Sequence, residues 1–205
     1  MFRAALSAAF AATWLLAGLA LGGVPSPPSC SIPTCLVACP LGDIAYTVVV
    51  RDLAGNPLIG SLVTIDFSAC PLVTLCSLVQ DPGYVVNYSA RTVRASTDAT
   101  GSVTFQLRAG GGCASQALVY ADGVLLATIP AASPDQNGDQ MVVANDYYLF
   151  AAKLGTTDLS GDFDCNGLVD ESDGFVWSQH GSHSCYGIVN PVRRQSWGRV
   201  KSFYR

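Results

Sequence analysis

Residues 162–173, DFDCNGLVDESD, carry oxygen side chains at a spacing that suits a hard cation. With Asp162 as position 1, Asp164, Asn166, Asp170 and Asp173 fall at positions 3, 5, 9 and 12. Leu168 at position 7 offers its backbone carbonyl, and Gly167 at position 6 permits the positive φ of a sharp turn. Calcium takes about six to eight oxygens from a flexible loop, and this run supplies most of them. Carboxylates this close repel one another unless a cation neutralises them. A solvated acidic turn is the plainer alternative, but the complete spacing favours calcium.

A second copy lies upstream in residues 135–146, DQNGDQMVVAND. Asp135, Asn137, Asp139 and Asp146 fill positions 1, 3, 5 and 12, and Met141 offers the position-7 carbonyl. Gln140 stands where the other copy has glycine, and Val143 replaces the position-9 oxygen. A non-glycine residue in the left-handed region costs about 1–2 kcal/mol, so the first loop is expected to bind more weakly than the second. Asp135 precedes Asp162 by 27 residues, a spacing typical of repeated units. Each loop leads into a helix-like stretch that ends at glycine, YYLFAAKLG to Gly155 and GFVWSQHG to Gly181. Leu149 and Phe150 of the first match Val176 and Trp177 of the second.

With Asp instead of Glu at position 12, Val169 at position 8, and the loop and helix duplicated, residues 133–187 resemble a type I dockerin. The resemblance implies a pair of calcium-loop and helix repeats that docks to a cohesin-like protein on a scaffold or to a cell-surface component, often in polysaccharide degradation. It also implies that positions 10 and 11 select the partner, here Ala144 and Asn145 and then Glu171 and Ser172. The two pairs differ, which argues against two equivalent binding orientations.

The elements that must present this module read as strands. In LVTIDF, Val63, Ile65 and Phe67 alternate with Leu62, Thr64 and Asp66; in SVTFQL, Val103, Phe105 and Leu107 alternate with Ser102, Thr104 and Gln106. Such alternation puts one face on a core and the other in water. IAYTVVV is a further β-branched run, and Asp122-Gly123 between ALVYA and VLLATI marks a hairpin. Turns are expected at Ala54 to Pro57 and at Asp98 to Gly101. Several short strands at this spacing predict a two-sheet sandwich over residues 42–130. VVVRDLAGNPLIGSLVTIDF and STDATGSVTFQL resemble bacterial immunoglobulin-like domains of the invasin type, which implies a spacer or binding module. The fold class expected is mainly β with a small α module: an Ig-like β-sandwich, then the dockerin-like repeats after a short linker at Pro130 to Pro134.

Residues 1–22 read as a cleaved bacterial export signal, with Arg3 before an apolar run and small residues at Ala20 and Gly22. A secreted or cell-surface location follows, with no membrane span after cleavage. The 8 cysteines all lie beyond the signal, an even number that fits disulfides. Cys30, Cys35 and Cys39 sit in a Pro-rich lead over residues 23–41 and are expected to form disulfides, with thiolate metal binding as the sharper alternative. Cys70, Cys76 and Cys113 could staple the sandwich, and Cys165 could close a loop of about 3 kcal/mol with Cys185. Other pairings remain open.

Of 15 acidic residues, 9 lie in residues 133–187 beside one base, Lys153, whereas the tail 188–205 is basic and is expected to be a loose end. The formal net charge of −4 argues against nucleic-acid binding. His180, His183 and Cys185 form H-x-x-H-x-C, three zinc-type ligands without an apparent fourth, and read more simply as a helix end beside a disulfide cysteine. No nucleotide-binding, zinc-protease or nucleophile-elbow motif occurs, so no enzyme is expected. The function expected is a secreted, non-catalytic docking protein; the alternative is a cell-envelope or adhesin spacer with a calcium-stabilised C-terminal cap.

Overall fold

The computed structural model describes residues 23–188 except 78, 79 and 82. The expected signal at 1–22 and the basic tail after Ile188 lie outside the described residues. The described residues are mainly β with two α-helices. In order, the strands are β1 (Leu36–Val37), β2 (Tyr46–Val49), β3 (Leu62–Asp66), β4 (Thr74–Leu75), β5 (Val85–Asn87), β6 (Thr92–Ser96), β7 (Ser102–Phe105), β8 (Ala109–Gly110), β9 (Cys113–Ala121) and β10 (Val124–Ala132). The helices α1 (Ala144–Ala151) and α2 (Glu171–Gln179) follow, then the short β11 (His183–Ser184) and β12 (Gly187–Ile188). No helix among the described residues is long and apolar enough to cross a membrane.

One sheet has six strands in the order β1-β10-β9-β3-β6-β5, while β2 pairs with β7 and β4 with β8. The alternating residues fall as expected: Val63, Ile65, Phe67, Val103, Phe105 and Leu107 are buried. Tyr46, Val48, Val103 and Phe105 of the β2–β7 pair join Val63, Ile65, Val93 and Val119 of the large sheet in one apolar cluster. At the β9–β10 hairpin both turn residues have positive φ, 47° at Asp122 and 82° at Gly123. That matches the twist of the strands it joins.

The lead and the linker behave differently from expectation. Leu36 and Val37 pair in parallel with Ala131 and Ala132, so the lead adds an edge strand to the large sheet. The expected linker is not an exposed tether: β10 runs through it to Ala132, and Ser133, Asp135 and Gln136 are buried. Ala132 packs with Phe150, Phe163 and Val169, and Val37 of β1 leans on the same small core. The end of the sheet and the helical unit therefore share apolar surface, which a free linker would leave in water.

Three disulfides complete the frame, in keeping with an oxidising compartment. Cys70–Cys113 staples the β region. The Cys165–Cys185 closure does not form: Cys165 bonds Cys35 and Cys185 bonds Cys76. Both bonds tie the helical unit to the β region, closing separations of 130 and 109 residues. Of the three lead cysteines only Cys35 is bridged, and Cys30 and Cys39 are free.

Candidate metal centres

The two loops have the same backbone. Gly138 and Cys165, at position 4, have φ of 72° and 64°, and Gln140 and Gly167, at position 6, have 75° and 93°. The equivalence continues past the helices, where Gly155 at 76° corresponds to Ser182 at 72°, not to Gly181. The position-8 valines, Val142 and Val169, are both fully buried. Val142 exchanges backbone hydrogen bonds with the Ser182–His183 segment, and Val169 with Gly155 and Thr156. Each loop is thus laced to the exit of the opposite helix, and the two units fold as an interlocked pair.

The loop ends are organised by buried carboxylates. Asp135 Oδ1 accepts from the N–H groups of Gly138 and Asp139, and its Oδ2 from Gln140. Asp146 accepts from Gln136, Asn137 and Val143. In the second loop Asp162 accepts from Asn166 and Gly167, and Asp173 from Phe163, Asp164 and Asp170. A carboxylate has about four lone-pair sites, so two or three accepted hydrogen bonds leave room for a cation. Asp135, Asp139 and Asp146 bring oxygens within 4.8 Å of one another, and so do Asp162, Asp164 and Asp173. These clusters have the donor set of a hard-cation site.

Their electrostatics point the same way. Burial, and then the Asp146 carboxylate beside it, push the Asp135 carboxyl up to about 7. Burial also raises Asp146 and Asp173 above the usual carboxylate range. Lys153 donates to Gln136 and to Ser160 and lies 3.7 Å from Asp158, bridging the units outside the clusters.

The remaining expected residues are placed as follows. Asn137 and Asn166 donate to the Asp139 and Asp164 carboxylates inside their loops. Met141 bridges to Ser184, and the Leu168 N–H donates to Asn166 Oδ1. Asp170 is outside the second carboxylate cluster: its Oδ1 accepts from Ser172 N–H and hydroxyl, capping α2 and holding its carboxyl below the usual range. Val143 gives α1 no such side-chain cap. Ala144, Asn145, Glu171 and Ser172 are all exposed in the first turns of the helices.

The helix faces divide unexpectedly. Phe150 is buried and stacks on Phe163 with ring centres 5.5 Å apart, and Val176 and Trp177 are partly buried beside them. Tyr148 and Phe175, close to them in sequence, are 70% and 66% exposed. Tyr147, Phe150, Leu154, Gly174 and Trp177 line an open groove between the helices of about 350 Å³.

His180 and His183 sit neither alone nor with Cys185. They meet Cys39 and Asp43, a second kind of ligand cluster that the sequence spacing does not reveal. No family model, no curated protein and no solved structure matches the chain.

Proposed function

We propose that the chain is a secreted, non-catalytic binding protein whose paired loops hold calcium and whose helices dock a cohesin-like or cell-surface partner. The β region serves as its Ig-like presenting domain. The observation that carries this reading is the exposed aromatic surface of Tyr147, Tyr148 and Phe175 beside the groove. Large apolar side chains left in water next to a concave surface are characteristic of interaction sites. They are flanked by the exposed pairs Ala144–Asn145 and Glu171–Ser172, the positions that select the partner in dockerins. Calcium would set the two helices by neutralising the buried carboxylates at their N-termini.

The spacer reading is favoured by a different observation, the two disulfides that fasten the helical unit to the β region. A rigid cap needs such bonds, whereas a tethered docking module does not. Retention of the intact chain on immobilised cohesin domains and on cell-wall material, with calcium or with EDTA, separates the two. The docking reading expects calcium-dependent retention that Phe175→Asp abolishes. Retention on cell-wall material that EDTA does not abolish, with none on cohesin domains, would leave the spacer.

A further inference from the structure

Four side chains from two distant parts of the chain converge where the lead meets the exit of α2. They are Cys39, Asp43, His180 and His183, each offering one ligand atom. Two tight turns bring them in as pairs. The Gly42 N–H donates to the Cys39 carbonyl at 2.8 Å, and the His183 N–H donates to the His180 carbonyl at 3.1 Å. The Cys76–Cys185 bond pins the turns together: Cys185 lies two residues beyond His183, and Cys76 Sγ is 3.6 Å from the carbonyl of Pro40.

The distances do not suit a network of hydrogen bonds alone. His183 Nδ1 lies 3.3 Å from Asp43 Oδ2, 3.5 Å from Cys39 Sγ and 3.3 Å from His180 Nδ1. His180 Nδ1 is itself 3.1 Å from the same Asp43 oxygen. An imidazole nitrogen has one proton or one lone pair, so His183 Nδ1 can serve only one of its three neighbours. If both rings donate to Asp43, their protonated nitrogens face each other. A single cation at the centre satisfies all four atoms at once. Tetrahedral zinc, with bonds of about 2.0–2.2 Å to nitrogen and oxygen and about 2.3 Å to sulfur, sets its ligand atoms about 3.3–3.6 Å apart.

We infer that Cys39, Asp43, His180 and His183 form a structural zinc site that locks the lead to the helical unit. Four protein donors close the shell, as in structural and unlike catalytic zinc centres. The carboxylate approaches both imidazoles as closely as they approach each other, which favours zinc over the trigonal His2Cys geometry of copper. The site is distinct from the oxygen-only loops, whose chemistry suits calcium. Cys39 is not a misplaced disulfide half. Cys30 lies beside Arg51, past the Val49 end of β2, while Cys39 bridges to Arg108, past the Phe105 end of β7 that pairs with Tyr46. Full burial shields the Cys39 thiol from oxidation.

The test is zinc titration of the intact, disulfide-bonded chain in saturating calcium. One equivalent of Zn²⁺ is expected to bind, and Co²⁺ in its place should give the intense visible bands of a tetrahedral centre with a thiolate charge-transfer band. Asp43→Asn alters a side chain that is 35% exposed and should preserve the fold. It and His180→Ala should each weaken zinc by more than the about 10–100-fold that loss of an outer-shell partner costs. Absence of stoichiometric zinc binding, an octahedral cobalt spectrum, unchanged affinity in Asp43→Asn, or a Cys30–Cys39 disulfide in the peptide map would each overturn the site.

Discussion

Gln140 takes a φ of 75° at the point in the first loop where Gly167 takes 93° in the second. The sharp turn therefore has the same form in both loops, although only one has the residue suited to it. The second loop is not free of this strain, since Cys165 is left-handed at 64° where the first has Gly138. Each loop holds one non-glycine residue in a conformation that costs about 1–2 kcal/mol. The ranking of the loops must therefore rest on other features.

Gln140→Gly is expected to stabilise the chain by about 1 kcal/mol, because glycine adopts the turn without a Cβ clash. Thermal unfolding in saturating calcium should show the midpoint rising by a few degrees. A lowered midpoint would mean that the Gln140 side chain contributes more than its backbone strain costs.

Val143→Asp should supply what the first loop lacks in two respects. Asp170, at the same position in the second loop, caps α2 through Ser172, whereas α1 has no side-chain cap. An N-cap aspartate adds about 1 kcal/mol, and a further oxygen near position 9 should tighten calcium at this loop. Val143 is 36% exposed, so the change costs little core packing. Calorimetry on the variant should show the weaker calcium event strengthened while the other is unchanged; no change in the weaker event would refute the role given to position 9.

Acid should act mainly through Asp135. Its carboxyl is raised to about 7 in the fold without calcium, from an ordinary value of 3.8. Between these values the fold binds a proton that the unfolded chain has released. In EDTA, the stability contributed by that proton is complete below about pH 4 and is lost as pH rises through 7. Calcium must displace the same proton, so binding at the first loop should weaken about tenfold for each pH unit below 7. Unfolding midpoints from pH 4 to 8, with EDTA and with calcium, check both. A first-loop affinity that does not change between pH 5 and 7 would contradict the burial of Asp135.

Much of this was legible from local pattern. The alternation of Val63, Ile65 and Phe67 assigns the buried face of β3, and Asp122-Gly123 marks the β9–β10 hairpin, because strand and turn signals reside in adjacent residues. The loop carboxylates came together for the same reason: twelve consecutive positions suffice to wrap an ion. Sequence spacing failed where contact is long-range. Asp43 and His180 are 137 positions apart, and nothing near His180 announces the partner. The pairing of Cys165 with Cys35, not Cys185, depends on the sheet bringing the lead beneath the second loop. The packing of residues 130–132 is not legible locally, because small residues such as Ala131 and Ala132 serve equally in an exposed tether and a tightly packed strand end.

Those long-range bonds should dominate stability. Cys35→Ser with Cys165→Ser opens a closure that the chain-entropy relation values at about 4–5 kcal/mol. The unfolding midpoint should fall steeply. Calcium at the second loop should weaken too, since Cys165 sits within that loop at position 4. A peptide map of the unreduced protein that showed Cys165 joined to Cys185 would contradict the arrangement.

Calorimetric titration of calcium into the EDTA-treated intact chain bears most directly on the paired loops. Two saturable events are expected at pH 7. The tighter belongs to the second loop, whose helix is capped by Asp170, whereas calcium at the first loop must displace the proton held by Asp135. Asp162→Ala should abolish the tighter event and leave the weaker; Asp135→Ala should do the reverse. Absence of any saturable event, or survival of both in Asp162→Ala, would contradict calcium as the ion that these loops are built to hold.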